Sequence, residues 1–100
     1  MADKYNYSYS YEYYEYFASY DAYLIANNYN LEKSQRIQVK IKNIIENNLI
    51  IYPDMYECAK YGLLTRRFIV EDHIVYYAIN NKKKEILIMS VRQKRQQRIY

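Results

Sequence analysis

The sequence predicts an α+β domain in the order β-α-α-β-β-β, a helical hairpin packed on an antiparallel sheet and followed by a short basic C-terminal tail. Three observations lead there. The apolar period switches from two to helical spacing within the first 20 residues. Isoleucines recur on one face of a second helical stretch. Three short β-branched and aromatic runs, separated by turn residues, fill the last third.

The opening segment, "KYNYSYSYEYYEYF" at positions 4–17, contains both periods. Tyr5, Tyr7, Tyr9 and Tyr11 alternate with Asn6, Ser8 and Ser10, which marks a strand with one buried face. Tyrosine favours strands, and its hydroxyl can sit at the edge of a packed ring. From Tyr13 the spacing becomes helical: Tyr13, Phe17, Tyr20 and Leu24 form a stripe joined by Tyr16 and Tyr23, while Glu12, Glu15, Ser19 and Asp21 are left for water. The stretch therefore belongs to the fold and is not a decorated arm.

"ANNYN" at 26–30 breaks that helix, and Asn30 is placed to cap the next, with Glu32 in its first turn. Ile37, Ile41, Ile44 and Ile45 are its apolar stripe, and Arg36, Lys40 and Lys42 its basic flank. The helix is expected to fade at "ENN", 46–48, before "LIIYPD" turns the chain at Pro53. The strands are then "LLTRRFIV" (63–70), "HIVYYAI" (73–79) and "EILIMSV" (85–91), joined by "ED" and "NNKKK". Parity puts Leu64, Phe68 and Val70 under the helices, and Thr65 and Arg67 on the open face. Arg66 has core-side parity. Of Tyr76 and Tyr77, one packs in the core and the other stays outside, where it can stack on a base. His73, beside the "ED" turn, reads as a hairpin-end residue.

One hundred residues allow one domain, 1–100, with no linker and no internal repeat. Cys58 stands alone, so no intrachain disulfide forms, and no Cys/His spacing suggests a metal; no cofactor is implied. The start lacks the apolar run of a signal peptide and no segment is apolar enough to span a membrane, so the expectation is a soluble, cytoplasmic protein without a membrane partner. The formal charge of +4 is uneven, because the second half holds most of the cations. Arg92, Lys94, Arg95 and Arg98 crowd the last nine positions. A basic end suits a polyanion, either nucleic acid or an acidic protein segment.

This order, together with "YPDMYECAKYGLLTRRFIVEDHIVYYAINNKKKEILIMSVRQKRQQ", resembles the RelE/ParE superfamily of toxins from bacterial type II toxin–antitoxin systems. "YLIANNYN" also resembles the end of the family's first helix. The resemblance implies a growth-inhibiting toxin silenced by a cognate antitoxin. In RelE-like members the activity is ribosome-dependent mRNA cleavage, so the partners implied are the ribosome and mRNA. In ParE-like members it is inhibition of DNA gyrase, the alternative here. A non-catalytic basic module that binds RNA or protein is a third reading.

Metal-independent RNA cleavage needs a group to take the 2′-hydroxyl proton, one to protonate the 5′ leaving oxygen, and positive charge for the phosphorane. With His73 the only histidine, a histidine pair is unavailable. The resemblance implies strand cations and a tail tyrosine instead. It aligns Lys94, with its neighbour Arg95, on the family's tail arginine, Tyr100 on the tail tyrosine, and Arg67 on one of two strand lysines. Thr65 replaces the other lysine and Ile74 stands where a strand arginine belongs, so Arg66, Arg92 or Arg95 must substitute. The expected catalytic set is Arg67, Lys94, Arg95 and Tyr100. Nucleic-acid contacts are expected from Arg66, Arg92, Arg98 and the turn lysines Lys82, Lys83 and Lys84.

Overall fold

Ser10 is the joint between the first strand and the first helix, and it does three jobs at once. The structure is a computed structural model that describes residues 4–56, 58 and 65–94. Within it β1 (Asn6–Tyr9) ends at Ser10, which caps α1 (Tyr11–Ala26) by accepting the Tyr13 N–H on Oγ at 3.2 Å. The same hydroxyl donates to the Met89 carbonyl, and the Ser10 N–H donates to the Ile88 carbonyl at 2.9 Å. The strand expected to reach Tyr11 is therefore shorter. Tyr11 is the first helical residue and points to water, because a capping hydroxyl ends the strand before tyrosine's strand preference can extend it.

α1 buries Tyr13, Phe17, Tyr20 and Leu24, the stripe read from spacing. Tyr16 is half-buried, but Tyr23 is exposed and leaves the stripe. After the break, the Asn30 side chain accepts the Glu32 N–H at 3.0 Å, and α2 (Glu32–Ile44) follows. The expected fading at 46–48 does not occur. The chain continues as a π-helical turn, Ile45–Leu49, in which Ile45 and Leu49 are fully buried. Burying each such side chain stabilises by ~1.5–3 kcal/mol. That exceeds the helix-propensity deficit of an asparagine, ~0.7 kcal/mol at most. Tyr7 ties this turn to β1 through its hydroxyl, which donates to Glu46 Oε2 at 2.6 Å.

The remaining strands are β2 (Thr65–Val70), β3 (His73–Asn80) and β4 (Glu85–Gln93). The expected meander is present, but the sheet expected to be antiparallel is mixed: its order is β1-β4-β3-β2, and β1 runs parallel to β4 because it pairs with the last strand of the meander and not with the strand that follows the helices, while the other pairs are antiparallel. One face carries Phe68, Val70, Val75, Tyr77, Ile86, Ile88 and Val91 into the core with the helices. The pairing steps from Tyr76–Ser90 to Tyr77–Ile88, so Met89 is the extra residue of a β-bulge. Without it, strict alternation would turn Val91 away from the face shared by Ile86 and Ile88.

The basic flank expected on α2 is largely occupied. Arg36 and Lys40 bind Glu71 at 2.8 and 2.9 Å, and Lys33 binds Asp72 at 3.1 Å. These pairs hold the β2–β3 turn, whose Glu71 adopts φ 54, against α2. No helix among the described residues is long and apolar enough to cross a membrane.

Candidate functional site: the open face of the sheet

On the face turned away from the helices, register brings the chemistry together. Arg67 of β2 pairs with Tyr76 of β3, which pairs with Ser90 of β4. One step along, Ile69, Ile74 and Arg92 form the next cross-strand row. Thr65, Tyr76, Met89, Ser90 and Arg92 line a shallow depression of about 370 Å³. Arg92 is exposed, whereas Thr65, Arg67 and Tyr76 are half-buried. Arg92 Nε donates to the Tyr76 hydroxyl at 3.0 Å, and the guanidinium carbon lies 5.9 Å from the centre of the Tyr76 ring. Ile74 is 5% exposed even on this face. Its cross-strand neighbour on β4 is Arg92.

The other predicted residues separate into groups. Arg66 follows its core-side parity: its Nη1 donates to the Tyr56 carbonyl at 2.6 Å and the Asp54 carbonyl at 3.3 Å, which commits its guanidinium to the loop after Pro53. Lys94 is exposed just beyond β4, and its N–H donates to the Asp72 carbonyl at 2.6 Å. Lys82, Lys83 and Lys84 occupy the β3–β4 turn. Tyr76 lies four residues before Asn80, so roughly 13 Å of strand separates the turn from the open-face pair. Lys84 sits over the Tyr5 ring, 5.1 Å from its centre. Arg95, Arg98 and Tyr100 lie outside the described residues.

His73 belongs to the opposite face. It is fully buried among Tyr16, Phe17 and Tyr20, with ring centres 5.6, 6.2 and 5.0 Å away, and its Nδ1 lies 2.8 Å from Asp72 Oδ1. Burial lowers its pKa, and Asp72 opposes that shift only in part. It is a neutral core residue at a hairpin end, as its position beside the turn suggested. Tyr77 is likewise internal: its hydroxyl donates to the Pro53 carbonyl at 2.7 Å, and burial raises its pKa.

Residue reading identified Arg92 and Tyr76 separately but did not predict that they bind each other. Their pairing depends on the bulge at Met89, and nothing in "EILIMSV" signals one.

No protein-family model matches the chain, and no curated protein matches it. Among solved structures, a chain in the crystal structure of the archaeal RelE-RelB complex from Pyrococcus horikoshii OT3 superposes with a TM-score of 0.60. The match covers 95% of this chain and 100% of that one, at 14% identity. At that identity the likeness is one of fold. Two helices on a four-stranded mixed sheet match a RelE-like fold, as the order of elements predicted.

Proposed function

We propose that this chain is the toxin of a type II toxin–antitoxin pair and that it inhibits translation by cutting mRNA on the ribosome. The observation that carries the toxin reading is the full-length likeness to a chain solved in a RelE-RelB complex. A cognate antitoxin is the corresponding partner, laid over the basic face as a helix or strand of compensating charge.

RNA cleavage fits the open face better than a gyrase contact does. Arg67 and Arg92 flank the half-buried Tyr76 ring in neighbouring rows, an arrangement suited to phosphates and a base. In this reading the 2′-oxygen attacks the adjacent phosphorus as its proton leaves, and the bond to the 5′ oxygen breaks as that oxygen is protonated. Arg67 and Arg92 face the phosphorane oxygens. Lys94 and Arg95 extend the positive charge, and Tyr100 is the tail group assigned to proton transfer. Arg98 and the turn lysines contact RNA away from the scissile bond.

The test is cell-free translation with primer extension, run beside a gyrase supercoiling assay. The expected result is mRNA cut only when ribosomes are present, with supercoiling untouched and both growth and translation restored by the antitoxin. Inhibited supercoiling with intact mRNA would replace this reading with the gyrase one. Inactivity in both assays would leave the basic binding module.

A further inference from the structure

The two edges of the sheet are built differently. The β2 edge carries Arg66 and Arg67, and Cys58 bridges to Arg66 there. Charges and a covering segment are the usual means of keeping an edge from pairing with another chain. β1 forms the opposite edge. Its residues, Asn6–Tyr9, include no charge, proline or glycine, and none of them is buried.

The backbone groups left open on this edge follow a pattern. The Asn6 and Ser10 N–H groups donate to the Lys84 and Ile88 carbonyls, each at 2.9 Å. Even-numbered residues therefore turn their backbone toward β4, and odd-numbered ones turn theirs outward. The Tyr5 N–H donates to the Ile50 carbonyl at 2.8 Å, and Tyr11 is already helical, so the edge is closed at both ends. Tyr7 and Tyr9 remain, with four N–H and C=O groups aimed away from the sheet. Their rings, 5.7 Å apart and edge to face, form an aromatic rim with Tyr14, which stands 5.8 Å from Tyr9 and is exposed.

We propose that β1 is a homodimer interface, where a second copy of this chain pairs antiparallel with it about a twofold axis at Ser8. Outward residues must meet outward residues. Setting Tyr7 of each copy against Tyr9 of the other uses all four groups of each strand. Setting Tyr7 against Tyr7, or Tyr9 against Tyr9, uses half, because the next partner is then Tyr5 or Tyr11. The favoured register puts Ser8 against Ser8 on the open face. It also brings Lys4, exposed, toward the first turn of the other copy's α1, which carries Glu12.

This self-complementarity in hydrogen bonds, rings and charge favours a second copy over an unrelated strand. A twofold pair is closed, and the bridge from Cys58 keeps the β2 edge from extending it. The product is one eight-stranded sheet with both open faces on the same side. The contact is small. Two four-residue strands fall short of the ~1,200 Å² of a stable interface, and tyrosines that bury up to ~150–250 Å² each bring it toward that size. Association is therefore weak and concentration-dependent. The proposal does not rest on the mRNA-cleavage reading.

The experiment is sedimentation equilibrium of the full chain from ~1 to ~500 µM, the range suited to a small interface. It is run beside Ser8→Lys, Ser8→Asp and an equimolar mixture of the two. Ser8 is exposed, and circular dichroism melts check that each variant folds. The parent chain should dimerise. Each charged variant sets like charges directly across the axis and should weaken the dimer about fivefold. The mixture should recover the parent affinity as a heterodimer. Disulfide trapping reads the register, in a Cys58→Ser background because Cys58 is an exposed thiol. Ser8→Cys should cross-link on mild oxidation, since a non-hydrogen-bonded pair sets its Cα atoms about 4.5 Å apart. Asn6→Cys should not, because the two Asn6 residues then lie roughly 13 Å apart along the strands.

A parent chain that stays monomeric over the whole range overturns the proposal. So does a dimer that Ser8→Lys leaves intact, or a mixture that fails to recover it. Cross-linking through Asn6→Cys and not Ser8→Cys overturns the register. The ribosome assay keeps the two readings apart: a β1 dimer that cuts no mRNA sinks the nuclease alone, and a monomer that cuts mRNA sinks the dimer alone.

Discussion

The two faces of the sheet are built from the same strands and obey different rules. The core face mixes apolar side chains of different shapes. Tyrosine, phenylalanine and isoleucine pack there side by side, and the Tyr77 hydroxyl reaches the Pro53 carbonyl. On the open face, the relative placement of Arg67, Tyr76 and Arg92 is set by register and by one bulge. The comparison teaches that stability and chemistry are separable here: a core substitution should unfold the protein, and an open-face substitution should disable it while folded.

Ile41 gives the strongest test of that separation. It is fully buried on α2, so Ile41→Ala should cost ~2–5 kcal/mol through lost burial and a cavity. Urea denaturation would measure the loss, and cleavage per folded molecule should hold constant. A marked fall in specific activity would mean that the two faces are coupled. Arg67→Ala is the converse. It should lower mRNA cleavage by about two to three powers of ten, while the variant still folds and melts cooperatively. Unfolding of this variant would show that Arg67 belongs to the structure and not to the site.

Ser10 serves both faces, since it caps α1 and anchors the bulge. Ser10→Ala should cost about 1 kcal/mol as a lost cap. It should also loosen the strand that presents Arg92, seen as faster amide exchange at Val91 and weaker RNA binding. Ser10→Thr, which keeps the hydroxyl, should restore most of both. If cleavage and RNA binding survive Ser10→Ala unchanged, the bulge holds without its anchor.

Acidification should produce the smallest effect, and on the core side alone. His73 has a folded pKa below its ordinary 6.5 because burial disfavours the imidazolium. The unfolded chain therefore binds the proton first, and stability falls as pH drops below about 6.5. Glu71 adds a second loss. Its hydrogen bonds from Arg36 and Lys40 hold its pKa at about 2, down from 4.5, so the stability those bonds contribute drains away between those values as pH falls. Thermal melts from pH 8 to pH 3 should show both steps, and His73→Phe should remove the first. A first step that persists in His73→Phe would assign it to another group.

Much of the fold was legible because burial is periodic. Tyr13, Phe17, Tyr20 and Leu24 announce α1, Ile37 and Ile41 announce α2, and alternation across Arg67, Phe68, Ile69 and Val70 assigns β2 its faces. These patterns follow from backbone geometry, which repeats every 3.6 residues in a helix and every two in a strand. Arg67 and Arg66 could be placed on opposite faces from parity alone. The length of the second helix could not be read, because Ile45 and Leu49 gain their burial from elements distant in sequence. Nor could the fate of Arg36 and Lys40, whose acidic partner is Glu71 in a turn more than thirty residues away. The deepest gap concerns β4. Its sequence alternates well enough to be called a strand, yet the alternation inverts at Met89, whose carbonyl accepts the Ser10 hydroxyl from the start of α1. A local pattern can specify which faces a strand has, but an inversion imposed by a partner strand is a tertiary fact. That inversion puts Arg92 beside Tyr76 on the open face and not among the isoleucines of the core.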